Sequence, residues 1–252
     1  MEILLARWAR MTPTGVMPWP QSGNSEGRNM TLNIVRDQAR AVVSKALDRP
    51  EIMPFRASPI LPPDPTDPRR EQLRKTHRTA KSSWLYINRK EGEDRFGPLP
   101  NGYMSKAGDL VASGRRHPLH RYPLQYRTGP VIWEEADAAA ALDPAGAAGI
   151  HIVASLPRTA PGEWQRLIER YIDDSLVSRG MVVDWAVHAL GDDSGDWATH
   201  PHVHMIVSAR RFRADMRKGQ RQRSWLFNAS QIDQAEDAWL AITGLQRLPY
   251  TA

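Results

Sequence analysis

Residues 181–188, Met-Val-Val-Asp-Trp-Ala-Val-His, and residues 202–208, His-Val-His-Met-Ile-Val-Ser, decide how this chain folds. Both are apolar, β-branched runs, and the polar stretch at 191–199, Gly-Asp-Asp-Ser-Gly-Asp-Trp-Ala-Thr, reads as the loop between them. Side chains alternate along a strand, so His202 and His204 share one face while Val203, Met205 and Val207 take the other. If the two strands pair antiparallel, His188 brings a third imidazole to the same place. Asp184 falls on the face of His188 by the same period of two. Two imidazoles side by side form a chelate, and three neutral nitrogen ligands leave coordination positions open, as a catalytic metal site requires.

Working outward, residues 150–155 read as a strand stopped by Pro157, and residues 163–178 as a helix. Trp164, Leu167, Ile168, Tyr171, Ile172 and Leu176 form the apolar stripe of that helix, and Gly180 caps it. Residues 231–243 make a last helix ended by Gly244. A strand, a helix and two more strands point to an α+β fold with a largely antiparallel central sheet flanked by helices. Upstream, Leu73, His77, Ala80, Trp84 and Ile87 fall at helical spacing from Pro68 towards Gly92, and residues 132–142 suit another helix. Residues 93–130 are rich in Gly, Pro and Arg and read as a long basic loop. Residues 1–68 are dense in proline, with one helical segment at 30–47, and read as an appendage and linker, which puts the main domain at 69–252. Residues 52–56 offer a first strand that Pro54 interrupts.

The chain has 252 residues, 41% of them hydrophobic, and no apolar run approaches the ~20 residues of a membrane-spanning helix. Membrane insertion is not expected. The absence of cysteine excludes disulfides, thiolate metal sites and cysteine nucleophiles, leaves any metal to His, Asp or Glu, and fits a reducing cytoplasm. The formal charge of +6 is unevenly spread: Lys and Arg dominate residues 69–127 and 209–223, and acids dominate residues 128–208. Two basic blocks of this kind suit a polyanion. In the second, Arg210, Arg211 and Arg213 are interleaved with Phe212 and Trp225, a pattern for a single-stranded backbone with bases stacked on rings.

The strand pair with its three histidines, together with His151-Ile-Val-Ala-Ser-Leu-Pro157 and the helix that follows, resembles the third motif region of MobA/MobL-type plasmid mobilisation relaxases. These are His-hydrophobic-His endonucleases, which nick one DNA strand at a transfer origin. The likeness spans roughly residues 70–245. It implies that His188, His202 and His204 hold a divalent metal ion, Mg2+ or Mn2+. Residues 80–92, Ala-Lys-Ser-Ser-Trp-Leu-Tyr-Ile-Asn-Arg-Lys-Glu-Gly, are similar to the family's first motif, which implies Tyr86 as the nucleophile, with Tyr103 as the second candidate. His151 stands where many mobilisation relaxases carry a carboxylate and looks more like the relaxases that nick transferred-DNA borders, so His151 and Asp184 are the candidates for orienting a ligand or moving a proton. Arg78, Lys81, Arg89 and Lys90 would screen the phosphodiester charge.

The implied partners are single-stranded or supercoiled DNA at a transfer origin, with accessory relaxosome and secretion-coupling proteins, in a bacterial cytoplasm. Two other readings suit the same residues: an inactive DNA-binding module of this fold, and a hydrolase using the three histidines and water.

Overall fold

The computed structural model describes residues 55–62, 78–118, 124–143, 146–158, 160–194, 196–211, 220–222, 225–226 and 228–247. The helix expected at 30–47 lies outside them. The described chain runs β1 (Phe55–Ile60), α1 (Ala80–Ile87), a short hairpin of β2 (Glu93–Asp94) and β3 (Gly97–Pro98), and a 3-10 stretch at Asn101–Asp109. Next come β4 (Leu110–Arg116), α2 (Leu124–Arg127), α3 (Val131–Ala141), β5 (Gly149–Ser155), α4 (Trp164–Ser175), β6 (Val183–Gly191) and β7 (Trp197–Ser208). The basic hairpin of β8 (Arg210–Arg211) and β9 (Gln220–Arg221) leads to α5 (Ala229–Thr243).

Five strands form one sheet in the order β1-β5-β7-β6-β4, every neighbouring pair antiparallel. The α+β fold with an antiparallel sheet is therefore as the alternation of residues 181–188 and 202–208 indicates. Each sheet face has its own core. On one, Ile150, Ile152, Val183, Trp185, Val203, Met205 and Val207 pack against Trp164, Ile168, Tyr171 and Ile172 of α4 and Trp239 of α5. On the other, Val182, Ala186 and Ile206 lie under Trp84, Leu85 and Ile87 of α1 and Ile132, Trp133 and Ala136 of α3. Stripping Trp133, which is fully buried, to alanine would cost about 3–5 kcal/mol. Among the described residues no helix is long and apolar enough to cross a membrane.

Three expectations change. The basic loop expected at 93–130 contains β4, an edge strand that pairs with β6. Its sequence, Leu-Val-Ala-Ser-Gly-Arg-Arg, hides it, because Gly114 is required where a Cβ would come within 3.0 Å of the Trp185 indole. Arg115 then reaches inward to Asp184, and Arg116 forms a partly exposed pair with Asp173. The sheet also extends upstream of residue 69, since β1 pairs with β5 from Phe55 opposite Ala154 to Ile60 opposite Gly149. Pro59 is tolerated there because β1 is an edge strand with one side unpaired.

The tyrosine helix begins later than its periodicity suggests. Thr79 is extended at φ −143°, and its hydroxyl accepts from Ser82 N while Ser82 Oγ accepts from Thr79 N, a reciprocal cap that sets the start at Ala80. Asp137 of α3 accepts from Ala80 N at 2.7 Å and Lys81 N at 3.0 Å, using the positive end of α1 to pin it across the sheet. Burial pushes the Asp137 carboxyl up to about 6 against those two hydrogen bonds.

Candidate active site

The strand register sets the site out in rows. Ser155, His202 and His188 lie opposite one another on β5, β7 and β6, and the next row holds Val153, His204 and Ala186. The three histidines thus project from the face beneath α1, His188 and His204 buried and His202 half-buried. One ring nitrogen from each lies within 4.8 Å of the others.

Hydrogen bonding fixes which nitrogen each ring presents. His188 Nε2 lies 2.8 Å from the carbonyl of Ile87, which can only accept, so that nitrogen carries the proton and the lone pair is on Nδ1. His202 Nδ1 lies 2.7 Å from the carbonyl of His200, which leaves Nε2 as its lone pair. His204 Nδ1 is 2.9 Å from His151 Nε2, and its Nε2 is 3.1 Å from His202 Nε2. Burial lowers all three pKa values: His188 to about 4 with help from the neighbouring Arg89 charge, His202 less strongly, and His204 well below the ordinary value with help from the surrounding imidazoles. Neutral rings keep their lone pairs for coordination. Two such nitrogens 3.1 Å apart match neighbouring ligands at the ~2.0–2.1 Å metal–nitrogen distance, so the residues fit a metal ion. His188, His202 and His204 are a cluster able to hold one.

Tyr86 faces this cluster from α1. Its ring meets that of His204 edge-on with centroids 5.5 Å apart, and that of His188 at 6.4 Å. Tyr103, on the 3-10 stretch, packs edge-on against Tyr86 at 5.3 Å and is buried. Arg89 follows α1 in the left-handed region at φ 51°. Its guanidinium binds both carboxylate oxygens of Asp109, at 2.9 and 2.7 Å, and donates to His188 Nδ1 at 3.0 Å. It also lies 4.8 Å from the centroid of the Tyr86 ring. Burial opposes its charge, yet hydrogen bonds to Asp109 and Tyr86 outweigh that and raise its pKa.

The other candidates separate. His151 joins the cluster through His204. Asp184 does not, because its oxygens accept from Arg115 and from the Trp133 indole, and it sits opposite Ile206 in the row beyond His204. Arg78 is buried in a two-pronged bond to Asp94 that braces the β2–β3 hairpin, so it belongs to the fold and not to a phosphate-facing surface. Lys81 pairs with Glu134 at 2.7 Å. Lys90 is exposed but lies over Trp84, 4.8 Å from its ring, and the cation beside Tyr86 is Arg89. Arg89 itself is 5% exposed and held inside the site instead of on its rim.

The basic β8–β9 hairpin leaves β7 at the end away from the histidines, with Arg210 six residues past His204, on the order of 20 Å along an extended chain. Arg211 rests on the Trp225 ring at 5.4 Å and donates to the carbonyl of Arg179. Arg213 lies outside the described residues. Towards the histidine end, the exposed Arg158 bonds to His200. Asp109 is the residue that sequence reading missed. Its position just before β4, within the supposed loop, gave no periodic signal.

Three imidazoles on adjacent antiparallel strands, crossed by a helix that carries a tyrosine, fit the His-hydrophobic-His motif. Comparison with known proteins agrees. The model of the MobA/MobL family matches residues 102–241, more than half of the chain, and the chain belongs to that family, the mobilisation relaxases. Tyr86 and β1 lie upstream of the matched stretch. No curated protein matches the chain by sequence. Among solved structures, a chain from work on the molecular basis of vancomycin resistance transfer in Staphylococcus aureus is similar in fold, with a TM-score of 0.53 at 14% identity, over 75% of this chain and 89% of that one.

Proposed function

We propose that this relaxase nicks one DNA strand at a specific site through a tyrosyl intermediate and rejoins it by the reverse reaction. The Tyr86 oxygen attacks phosphorus in line, the bond to the 3′ oxygen breaks, and the 5′ phosphate remains on the tyrosine as an ester. The phenol proton leaves to solvent, and the departing 3′ oxygen takes one up. A phenol with a reference pKa near 10 needs a cation beside its oxygen, and Arg89, clamped by Asp109, supplies it. His188, His202 and His204 would hold a divalent cation, Mg2+ or Mn2+, which when bound polarises the non-bridging oxygens of the scissile phosphate. His151 keeps the His204 ring turned for that task. The substrate is single-stranded or supercoiled DNA at a transfer origin in the bacterial cytoplasm, with accessory relaxosome and secretion-coupling proteins as partners.

The observation that carries this reading is the placement of the Tyr86 ring edge-on to His204 at 5.5 Å. It is tested with a labelled transfer-origin oligonucleotide and Mg2+, read as a denaturant-resistant protein–DNA adduct. The wild-type chain and Tyr103→Phe form the adduct, and Tyr86→Phe does not. Adduct from Tyr86→Phe but not from Tyr103→Phe would move the nucleophile to the neighbouring ring. Cleavage with no adduct from the wild type would make the chain a hydrolase.

A further inference from the structure

Phe96 stands at the turn of the β2–β3 hairpin and is 46% exposed. A single apolar ring on a surface is ordinary; the support beneath this one is not. Arg78 and Asp94 are both buried, and the guanidinium holds both carboxylate oxygens, at 2.7 and 2.6 Å. The same guanidinium donates to Gly97 O at 3.1 Å and sets its Cζ 5.4 Å from the centre of the Phe96 ring. Asp94 in turn accepts from Phe96 N at 2.8 Å and from the Thr79 hydroxyl at 3.0 Å. Gly97 completes the turn at φ 105°, a backbone that side chains disfavour. One buried ion pair therefore fixes the backbone on both sides of an exposed ring.

Charge and location point to what the ring meets. The exposed Arg95 has its Cζ 4.7 Å from the centre of the same ring and makes no hydrogen bond or close ion pair among the described residues. Through Thr79 the hairpin is bonded to the start of α1, and Tyr86 lies six residues beyond Ala80 on that helix, about 9 Å at 1.5 Å per residue. An exposed ring with an uncommitted cation beside it suits a nucleobase and its phosphate.

We propose that Phe96 is a base-stacking residue: an unpaired base of the DNA strand, a few nucleotides from the scissile phosphate, stacks on its ring, and Arg95 meets the adjoining phosphate. Stacking tolerates any base, so the contact sets the path of the strand towards α1 and does not read its sequence. Arg78 and Asp94 hold the ring before DNA arrives, which keeps the ordering cost of binding low. The proposal rests on the reading of the chain as a DNA-nicking enzyme and adds a contact for its strand outside the histidine cluster.

Binding is measured by fluorescence anisotropy on the full chain, with a labelled single-stranded transfer-origin oligonucleotide and with copies that each lack one base near the cleavage site. Phe96→Ala is expected to weaken binding by at least about fivefold, Phe96→Trp to retain it, and Phe96→Leu, which keeps apolar bulk without a π face, to behave as alanine. None of the three loses a charge, so their salt slopes match the wild type, whereas Arg95→Gln flattens the slope by about 0.7. One of the base-deleted copies should weaken the wild type and leave Phe96→Ala unaffected, which marks the stacked base. A ring that merely braced the hairpin would lower the urea midpoint when removed, weaken binding to every copy alike, and be replaced by leucine as well as by tryptophan. That pattern, or undiminished binding by Phe96→Ala, overturns the proposal. If the stacking pattern is found while the wild type forms no covalent adduct, the base contact stands and the nicking reading falls. Adduct formation by the wild type together with undiminished binding by Phe96→Ala gives the reverse.

Discussion

His151 Nε2 sits 2.9 Å from His204 Nδ1, and the two rings stack with centroids 5.1 Å apart and planes 24° from parallel. For His204 to offer its Nε2 lone pair to a metal, its proton must be on Nδ1 and His151 must accept it. On the proposed function, His151 would do the work a carboxylate commonly does behind a metal-bound histidine. Replacing His151 with alanine is expected to lower Mn2+ affinity by about 10–100-fold without unfolding the chain. Calorimetry checks this, and undiminished affinity would mean that packing alone orients His204.

Asp184 behaves differently, because its partners are structural. It and Arg115 have side chains only 6% exposed and form a close ion pair joined by the Trp133 indole, tying β4 and α3 to β6. Asp184→Asn leaves the Arg115 charge buried without its counter-ion, at a cost of about 3–5 kcal/mol in urea denaturation. Metal affinity of the folded fraction should be unchanged, and a selective loss of metal binding would return Asp184 to the active site.

Asp137 gives the fold a pH dependence of definite sign. Its folded pKa of about 6 exceeds the ordinary 3.8, so between those values the native state binds more protons than the unfolded chain. The stability this supplies is complete below pH 3.8 and is lost as pH rises through 6, a change on the order of 3 kcal/mol. Asp137→Asn keeps an acceptor for α1 and removes the titration. Relative to wild type, the variant should therefore gain stability from pH 4 to pH 7, and a pH-independent difference would refute the assignment.

The β8–β9 hairpin and the histidines should separate by strand length. Each contact with a single-stranded phosphate contributes about 0.7 to the salt slope, so reversing Arg210, Arg211 and Arg213 should flatten that slope by roughly two units on a long strand. Adduct formation on a short oligonucleotide confined to the cleavage site should be nearly unaffected, because Arg210 leaves β7 on the order of 20 Å beyond His204. Equal loss on long and short strands would place the hairpin at the cleavage site.

The histidine face was legible because alternation is a local property: Val203, Met205 and Val207 against His202 and His204 leave a strand little choice of side. The α4 stripe was legible for the same reason. What escaped was decided by tertiary contact. Gly114 and Arg115 look like loop residues until Trp185 and Asp184 are set against them. Asp109 has no meaning apart from Arg89, which the sequence groups with Arg78, Lys81 and Lys90 as cations for the phosphodiester without showing which of them is clamped. The basic residues near Tyr86 were rightly seen as numerous, but counting them could not show that Arg78 is committed to Asp94 while Arg89 alone turns inward.

The bonds from Asp137 to the first two amides of α1 give α3 a part in chemistry that it never touches. The proposed nucleophile, Tyr86, belongs to a stretch upstream of residue 102, the imidazoles to strands far downstream, and a single carboxylate on an intervening helix pins one against the other. A shift of that pin by a fraction of an ångström moves a phenol oxygen several residues away along a rigid lever. On the proposed function, substitutions on α3 should therefore retune the rate of cutting while leaving both the tyrosine and the histidines in place.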